Sequence, residues 1–167
     1  MAETKVGCNN VIVNPDNPDF YLLIQETSPH KRGLFNLPGG SRESRESLIE
    51  CAVREAEEET GLLTEPIGLL GLYEYHKVNQ LHVAFASTVV VGEPTPSEEH
   101  PIVEYFSFED ITRFNSEGKL RSERVLDAIR RHRDGRIIGL EALSAFMFDD
   151  TPNTSLLTVG ANPNALP

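Results

Sequence analysis

The sequence is short of cysteine, of positive charge and of long apolar runs, and each shortage closes off a class of protein. Two cysteines, Cys8 and Cys51, are too few for a disulfide framework in a chain of 167 residues. Neither has a Cys or His neighbour at zinc-ligand spacing, so both read as buried thiols in a reducing compartment. Fifteen basic against 26 acidic residues give a net charge of −11. A surface of that sign argues against nucleic acid and against anionic membrane as partners, because both are bound largely through Lys and Arg. Nowhere does an apolar run reach the roughly 18 residues that a membrane span needs, and no basic-then-apolar signal opens the chain. The expectation is a cytoplasmic protein with a small-molecule partner, no nucleic acid and no membrane; a homodimer is left open.

What is present suits an ordinary folded domain, with 39% hydrophobic and 25% charged residues. The chain is long enough to bury a core of its own, and residues 1–148 read as a single domain. Residues 149–167, with Pro152, Pro163 and Pro167, Asn153, Asn162 and Asn164, and few bulky anchors, read as a loosely held tail. Val6–Val13 and Phe20–Gln25 are apolar runs on either side of the turn cluster Asn14-Pro15-Asp16-Asn17-Pro18, so they are expected to pair as strands. Ser28–Gly40 is a long loop. From Ser47 to Thr60, Ile49, Ala52, Val53 and Ala56 recur at helical spacing, Ser47 with Glu50 makes a capping box and Gly61 is a stop. Further strands are predicted at Ile67–Tyr75, at Leu81–Val91 (apolar enough to be central) and at Val103–Phe106, with helices at Phe108–Phe114 and Leu120–Arg133. Strands interleaved with helices make an α/β layered domain.

Arg54-Glu55-Ala56-Glu57-Glu58-Glu59 places Glu55, Glu58 and Glu59 at i, i+3 and i+4, on one face of the predicted helix. Like charges at that spacing destabilise a helix by a few tenths of a kcal/mol each, and carboxylates at its C-terminal end oppose the macrodipole by roughly 0.3–1 kcal/mol. A solvated acidic face is the simple reading. A divalent cation is the competing one, because hard oxygen ligands converging on a point are what Mg²⁺ selects. Just upstream, Leu37-Pro38-Gly39-Gly40 supplies backbone that can approach a ligand without side chains in the way.

Gly40, Glu46, Arg54-Glu55-Ala56, Glu58-Glu59 and Gly61-Leu62 fill every fixed position, at the correct spacing, of the signature that marks the Nudix hydrolases, and the chain resembles that family. The resemblance implies an α/β/α sandwich with a mixed central sheet and a Mg²⁺-dependent enzyme (Mn²⁺ as the alternative ion) that cleaves a phosphoanhydride in a small organic pyrophosphate. It further implies that the Gly39 carbonyl, Glu58 and Glu59 ligate metal and that Glu55 is general base or additional ligand. Arg54 orients the glutamates and Glu46 links loop to helix. A carboxylate from a later loop completes the site in many members, and Glu98 and Glu99 are the candidates. Lys31, Arg32, Arg42 and Arg45 flank the box and could hold phosphate oxygens; Phe35, Tyr73 and Tyr75 could stack on a base, against a core role for aromatics on strands. None of the five histidines is given a role.

Substrate class is less legible. Val78, Asn79 and Gln80 stand where ADP-ribose hydrolases tend to carry proline and dinucleoside polyphosphate hydrolases tyrosine. Leu120-Arg121-Ser122, the following amphipathic helix and Gly135-Arg136 resemble bacterial Nudix phosphatases that act on nucleoside di- and triphosphates. A nucleotide-sugar hydrolase, such as one for ADP-ribose, and a non-catalytic Nudix-fold ligand sensor are the alternatives. A relative of isopentenyl diphosphate isomerase would carry a catalytic cysteine in the loop before the box, where this chain has none.

Overall fold

The computed structural model describes residues 4–143, so the expected tail at 149–167 lies outside the described residues. β1 (Lys5–Asn14) and β2 (Asn17–Gln25) form the expected antiparallel pair across the Asn14–Asn17 turn, where Asn14 Oδ1 accepts the Asp16 and Asn17 amides at 2.8 and 3.1 Å. β3 (Phe35–Asn36) lies inside the long loop, and β4 (Leu63–Tyr75) and β5 (Gln80–Val91) form a hairpin. β6 (Val103–Ser107) pairs with β2. The order is β3-β2-β1-β5-β4, with β1 and β5 parallel and the other pairs antiparallel, which makes the sheet mixed.

Three helices cover it. α1 (Leu48–Thr60) packs on one face against β1 and β4, and α2 (Phe108–Ser116) and α3 (Glu123–Arg133) pack on the other. Alternation along β1 divides the two layers. Cys8, Asn10 and Ile12 turn toward α1, where Cys8 meets Cys51, Asn10 meets Ala52 and Ile12 shares a cluster with Ala56. Val11 turns toward α3, into a cluster with Val125, Leu126 and Ile129. Both cysteines are fully buried free thiols, as expected. No helix among the described residues is long and apolar enough to cross a membrane.

β1 divides its edges in a way that matters for the site. Its first eight residues pair with β5 on one side, but β2 joins it only near Val13. In the space left, the loop 38–42 runs alongside: the Cys8 and Asn10 amides donate to the Gly40 and Pro38 carbonyls at 2.9 and 2.8 Å, and the Arg42 amide donates to Val6 at 2.9 Å. The glycine-containing loop is thereby held as rigidly as a strand.

Several boundaries differ from expectation: β2 starts three residues early at Asn17, α2 runs two residues further to Ser116, and two others have a clear cause. β4 begins at Leu63, four residues early, and runs through Pro66, which sits on the outermost strand where a missing N–H is tolerated. α3 begins at Glu123 instead of Leu120, because Leu120 bridges to Phe35, with the Phe35 amide donating to the Lys119 carbonyl and the Arg121 amide to the Phe35 carbonyl, both at 2.8 Å.

Candidate active site

α1 starts and stops where its sequence directs. Ser47 Oγ accepts the Glu50 amide at 3.1 Å, the Glu50 carboxylate accepts the Ser47 amide at 2.7 Å, and Gly61 ends the helix at φ +74°. Its inner face rests on the sheet through Cys51, Ala52 and Ala56. Asn10, fully buried, donates to the Ala52 carbonyl at 2.9 Å and accepts from Ser87 Oγ at 2.9 Å, which ties helix, β1 and β5 together.

With the helix fixed, Arg54 becomes the hub of the acidic cluster. Its Nε and Nη2 fork onto Glu46 at 2.7 and 3.1 Å, and Nη1 reaches Glu55 at 2.9 Å and Glu58 at 3.0 Å. Nη2 also donates to the Ser41 carbonyl at 3.2 Å, so loop and helix share one guanidinium. The hydrogen bond from Arg54 holds the Glu46 carboxyl below its ordinary range. Glu55 goes the other way: burial raises it, the Arg54 hydrogen bond opposes this, and the neighbouring Glu59 and Glu58 charges add to the rise. Its carboxylate lies directly beneath Gly40, where an added Cβ would come within 2.5 Å of it. An open depression of about 850 Å³ on the outer face of α1 is bordered by Arg45, Glu46, Arg54 and Glu58.

Glu59 is held separately. Its Oε2 accepts the Gly39 amide at 2.7 Å, and its Oε1 lies 3.2 Å from His100 Nε2. His100 Nδ1 lies 3.1 Å from the Gln25 carbonyl. The Glu59 contact raises the His100 pKa, with burial opposing it. This histidine is the functional neighbour that sequence reasoning missed. Glu98 and Glu99, the loop carboxylates expected to complete the site, are both exposed, the Glu99 carbonyl is engaged by Thr27 Oγ1 at 2.8 Å, and the contact of the loop 93–101 with α1 is made by His100. The physical reason is that the loop turns at Ser97, whose Oγ and amide bond His100, so residue 100 points inward and its predecessors outward.

Among the described residues no three Asp, Glu, His or Cys side chains converge on one point, since Arg54 and His100 already engage the carboxylates. The donors nevertheless suit a hard cation. Glu55, Glu58 and Glu59 share the helix face against Gly39–Gly40, and the Gly39 carbonyl takes no hydrogen bond among the described residues while its neighbours Pro38 and Gly40 are both engaged by β1.

The remaining candidates scatter. Arg42 Nη1 donates to the Glu46 carbonyl at 2.8 Å, while Arg32 and Arg45 are exposed. Phe35 is corrected as a substrate-stacking residue: it is 8% exposed, stacked on Phe114 at 4.9 Å between centroids and set edge-on to Phe106 at 5.1 Å, within the core under α2 and α3. Tyr73 is also spoken for, donating to Asp127 Oδ2 at 2.8 Å.

Comparison with known proteins places this geometry in context. A family model described as the NUDIX domain matches residues 4–129. The chain is 32% identical over 104 residues to an ADP-ribose pyrophosphatase of Methanocaldococcus jannaschii, a match that covers 60% of each chain and so spans less than two thirds of that relative. It is 30% identical over 131 residues to phosphatase NudJ of Shigella boydii serotype 4, covering 75% of this chain and 83% of that one. Among solved structures, a NUDIX hydrolase from Nitrosomonas europaea superposes with a TM-score of 0.74 at 26% identity, over 86% of this chain and 98% of the other.

Proposed function

The chain belongs to the Nudix hydrolase family, and from that premise we propose that it cleaves a phosphoanhydride bond of a nucleoside di- or triphosphate, or of a similar small organic pyrophosphate. The observation that carries the reading is the gathering of Glu46, Glu55 and Glu58 on Arg54 directly against the Gly39–Gly40 loop, with Glu59 hydrogen-bonded into the same loop. The relative named a phosphatase is matched over 83% of its length and the ADP-ribose pyrophosphatase over 60%, so a nucleotide sugar is kept as the second reading.

The family generally uses divalent metal, and Mg²⁺, with Mn²⁺ as the alternative, is the ion we assign. The Gly39 carbonyl with Glu55, Glu58 and Glu59 would hold it. When bound it neutralises pyrophosphate charge and lowers the pKa of a water. The protein's own groups do the rest. Glu55, raised by burial, is the group suited to take the proton of the attacking water, since a base works best when its pKa approaches the operating pH. Arg54 fixes the direction in which that carboxylate points. His100 positions Glu59 from the loop 93–101. Arg32 and Arg42, on the loop facing solvent, are the candidates for phosphate oxygens of incoming substrate.

Phosphate release from a panel of nucleotides, nucleotide sugars and cofactor pyrophosphates, with Mg²⁺ and with excess EDTA, tests this. Turnover of at least one pyrophosphate that disappears in EDTA is expected. Turnover that survives EDTA undiminished, or none across the panel in folded protein, refutes it.

A further inference from the structure

On the opposite face of the sheet from α1, just behind the glycine loop, the acidic protein assembles cations without counter-ions. Arg124 lies with its guanidinium carbon 5.7 Å from the centre of the Tyr75 ring, and Tyr75 meets His82 edge-on at 5.8 Å. His82 Nδ1 is 3.1 Å from Asn9 Oδ1, and Asn9 abuts Gly39 so closely that an added Cβ there would come within 2.9 Å of Asn9 Nδ2. Arg121 is anchored beside this row, its amide donating to the Phe35 carbonyl at 2.8 Å. Lys31, on the loop that precedes β3, contributes its charge at His82 together with Arg121 and Arg124.

Four features of this cluster go against a purely structural role. Among the described residues neither arginine nor Lys31 forms an ion pair, although acidic residues outnumber basic ones 26 to 15. Arg124 Nε is buried with no acceptor, and a buried cationic donor without a partner is costly. The nearest carboxylate in electrostatic reach, Glu26, is hydrogen-bonded to Asn36 Nδ2 at 3.0 Å, and Asp127 serves Tyr73 and Arg131. Arg124 also occupies the first turn of α3, the end of a helix where its dipole disfavours a cation. An anion removes all of these penalties at once. Burial, with these charges adding to it, pushes His82 down to about 4, so the ring is neutral at pH 7 and leaves the cationic site to the two arginines and the lysine.

We propose that Arg121, Arg124 and Lys31 form a metal-independent recognition site for a phosphate group of the substrate other than the anhydride presented to the glutamate helix. The preferred substrate is therefore an organic pyrophosphate whose far end carries its own phosphate ester. Forked guanidinium donors match phosphate oxygens, and three cations match a dianion better than a neutral sugar or base. This rests on the hydrolase reading for the word substrate; the anion site itself does not.

Two measurements decide it. In excess EDTA, where the carboxylates of α1 have no cation to attract phosphate, inorganic phosphate and a nucleoside 3′,5′-bisphosphate should raise the melting temperature of the wild-type protein. The rise should be lost in Arg124→Gln and, should that buried replacement fold poorly, in Lys31→Gln and Arg121→Gln. With Mg²⁺ present, pairs of pyrophosphates differing only by a phosphate ester at the far end should show a preference in kcat/KM of about tenfold or more for the phosphorylated member, and the variants should collapse that ratio. Equal thermal shifts in wild type and variants overturn the anion site. A phosphate-dependent shift with no preference between paired substrates overturns its assignment to substrate. Absence of any turnover counts against the hydrolase reading alone, because the metal-free binding result stands independently.

Discussion

Replacing Gly40 by alanine separates chemistry from stability. A Cβ at that position lies 2.4–2.5 Å from Glu55 Oε1, Cδ and Oε2, and Gly40 has no left-handed φ that alanine would strain. The group in the way is the end of a flexible side chain, so the carboxylate swings out and the backbone stays. That motion breaks the 2.9 Å bond to Arg54 Nη1, while Arg54 keeps its fork on Glu46. One such bond is worth about 0.5–1.5 kcal/mol net, or a fall in Tm of roughly 1–6 °C in a domain of this size. A displaced general base costs a rate factor of roughly 10²–10⁴. Gly39→Ala is the opposite case. Its φ is +149°, and the added Cβ meets backbone, 2.2 Å from the Cys8 carbonyl oxygen and 2.7 Å from Asn9 Cα, neither of which can yield. Strain and overlap together destabilise by roughly 2–6 kcal/mol. Differential scanning fluorimetry and initial rates on the two variants should show Gly40→Ala folded but slow, and Gly39→Ala unstable. Full kcat in Gly40→Ala, or equal Tm losses in both, refutes the placement of Glu55 as base.

Glu58→Gln should lower kcat by orders of magnitude with little change in Tm, because the side chain is 61% exposed and its bond to Arg54 is peripheral to the fold; near-normal turnover would leave the residue as solvated surface. His100→Ala should loosen the loop 93–101 and unfix Glu59, seen as a higher Mg²⁺ concentration for half-maximal rate and as faster proteolysis of that loop; an unchanged Mg²⁺ titration would show that Glu59 is held adequately by Gly39 alone. His82 is lowered by burial and by nearby Arg124, from 6.5 to about 4, so the fold favours the neutral ring; its stabilisation is complete above pH 6.5 and is lost as pH falls toward 4. Allowing for partial exposure, this amounts to about 1–2 kcal/mol, and urea titrations at pH 7 and pH 4.5 should show a smaller loss in His82→Gln than in wild type; equal losses would exclude the ring as a source of acid sensitivity.

Local chemistry written into consecutive residues was readable in advance. α1 announced its ends by Ser47, Glu50 and Gly61, all in those roles, and its face by Ile49, Ala52, Val53 and Ala56, of which Ala52 and Ala56 are buried while Ile49 and Val53 stay half-buried and Cys51 takes a buried place beside them. What depended on distant partners was not. His100 meets Glu59 only because β6 and β2 bring the loop 93–101 back over the helix end, a contact between residues 41 apart with no local pattern to signal it. Phe35, next to the signature, looked available for stacking, but Phe106 and Phe114 from later elements close around it. Arg121 and Arg124 stand three apart across the start of α3, whose inner face is apolar, and nothing in that spacing tells that Glu26 and Asp127 would be engaged elsewhere.

Arg54 has a consequence for how the site comes into being. Four acidic side chains packed beside two glycines would hinder folding by mutual repulsion if they depended on an external ion for neutralisation. A guanidinium carried by the same helix and bonded to Glu46, Glu55 and Glu58 acts as a built-in counter-ion from the moment α1 docks. The carboxylates therefore need no external ion to reach their places, and on the proposed metal reading a cation would have to displace the Nη1 donor that Glu55 and Glu58 share and compete with Gly39 and His100 for Glu59.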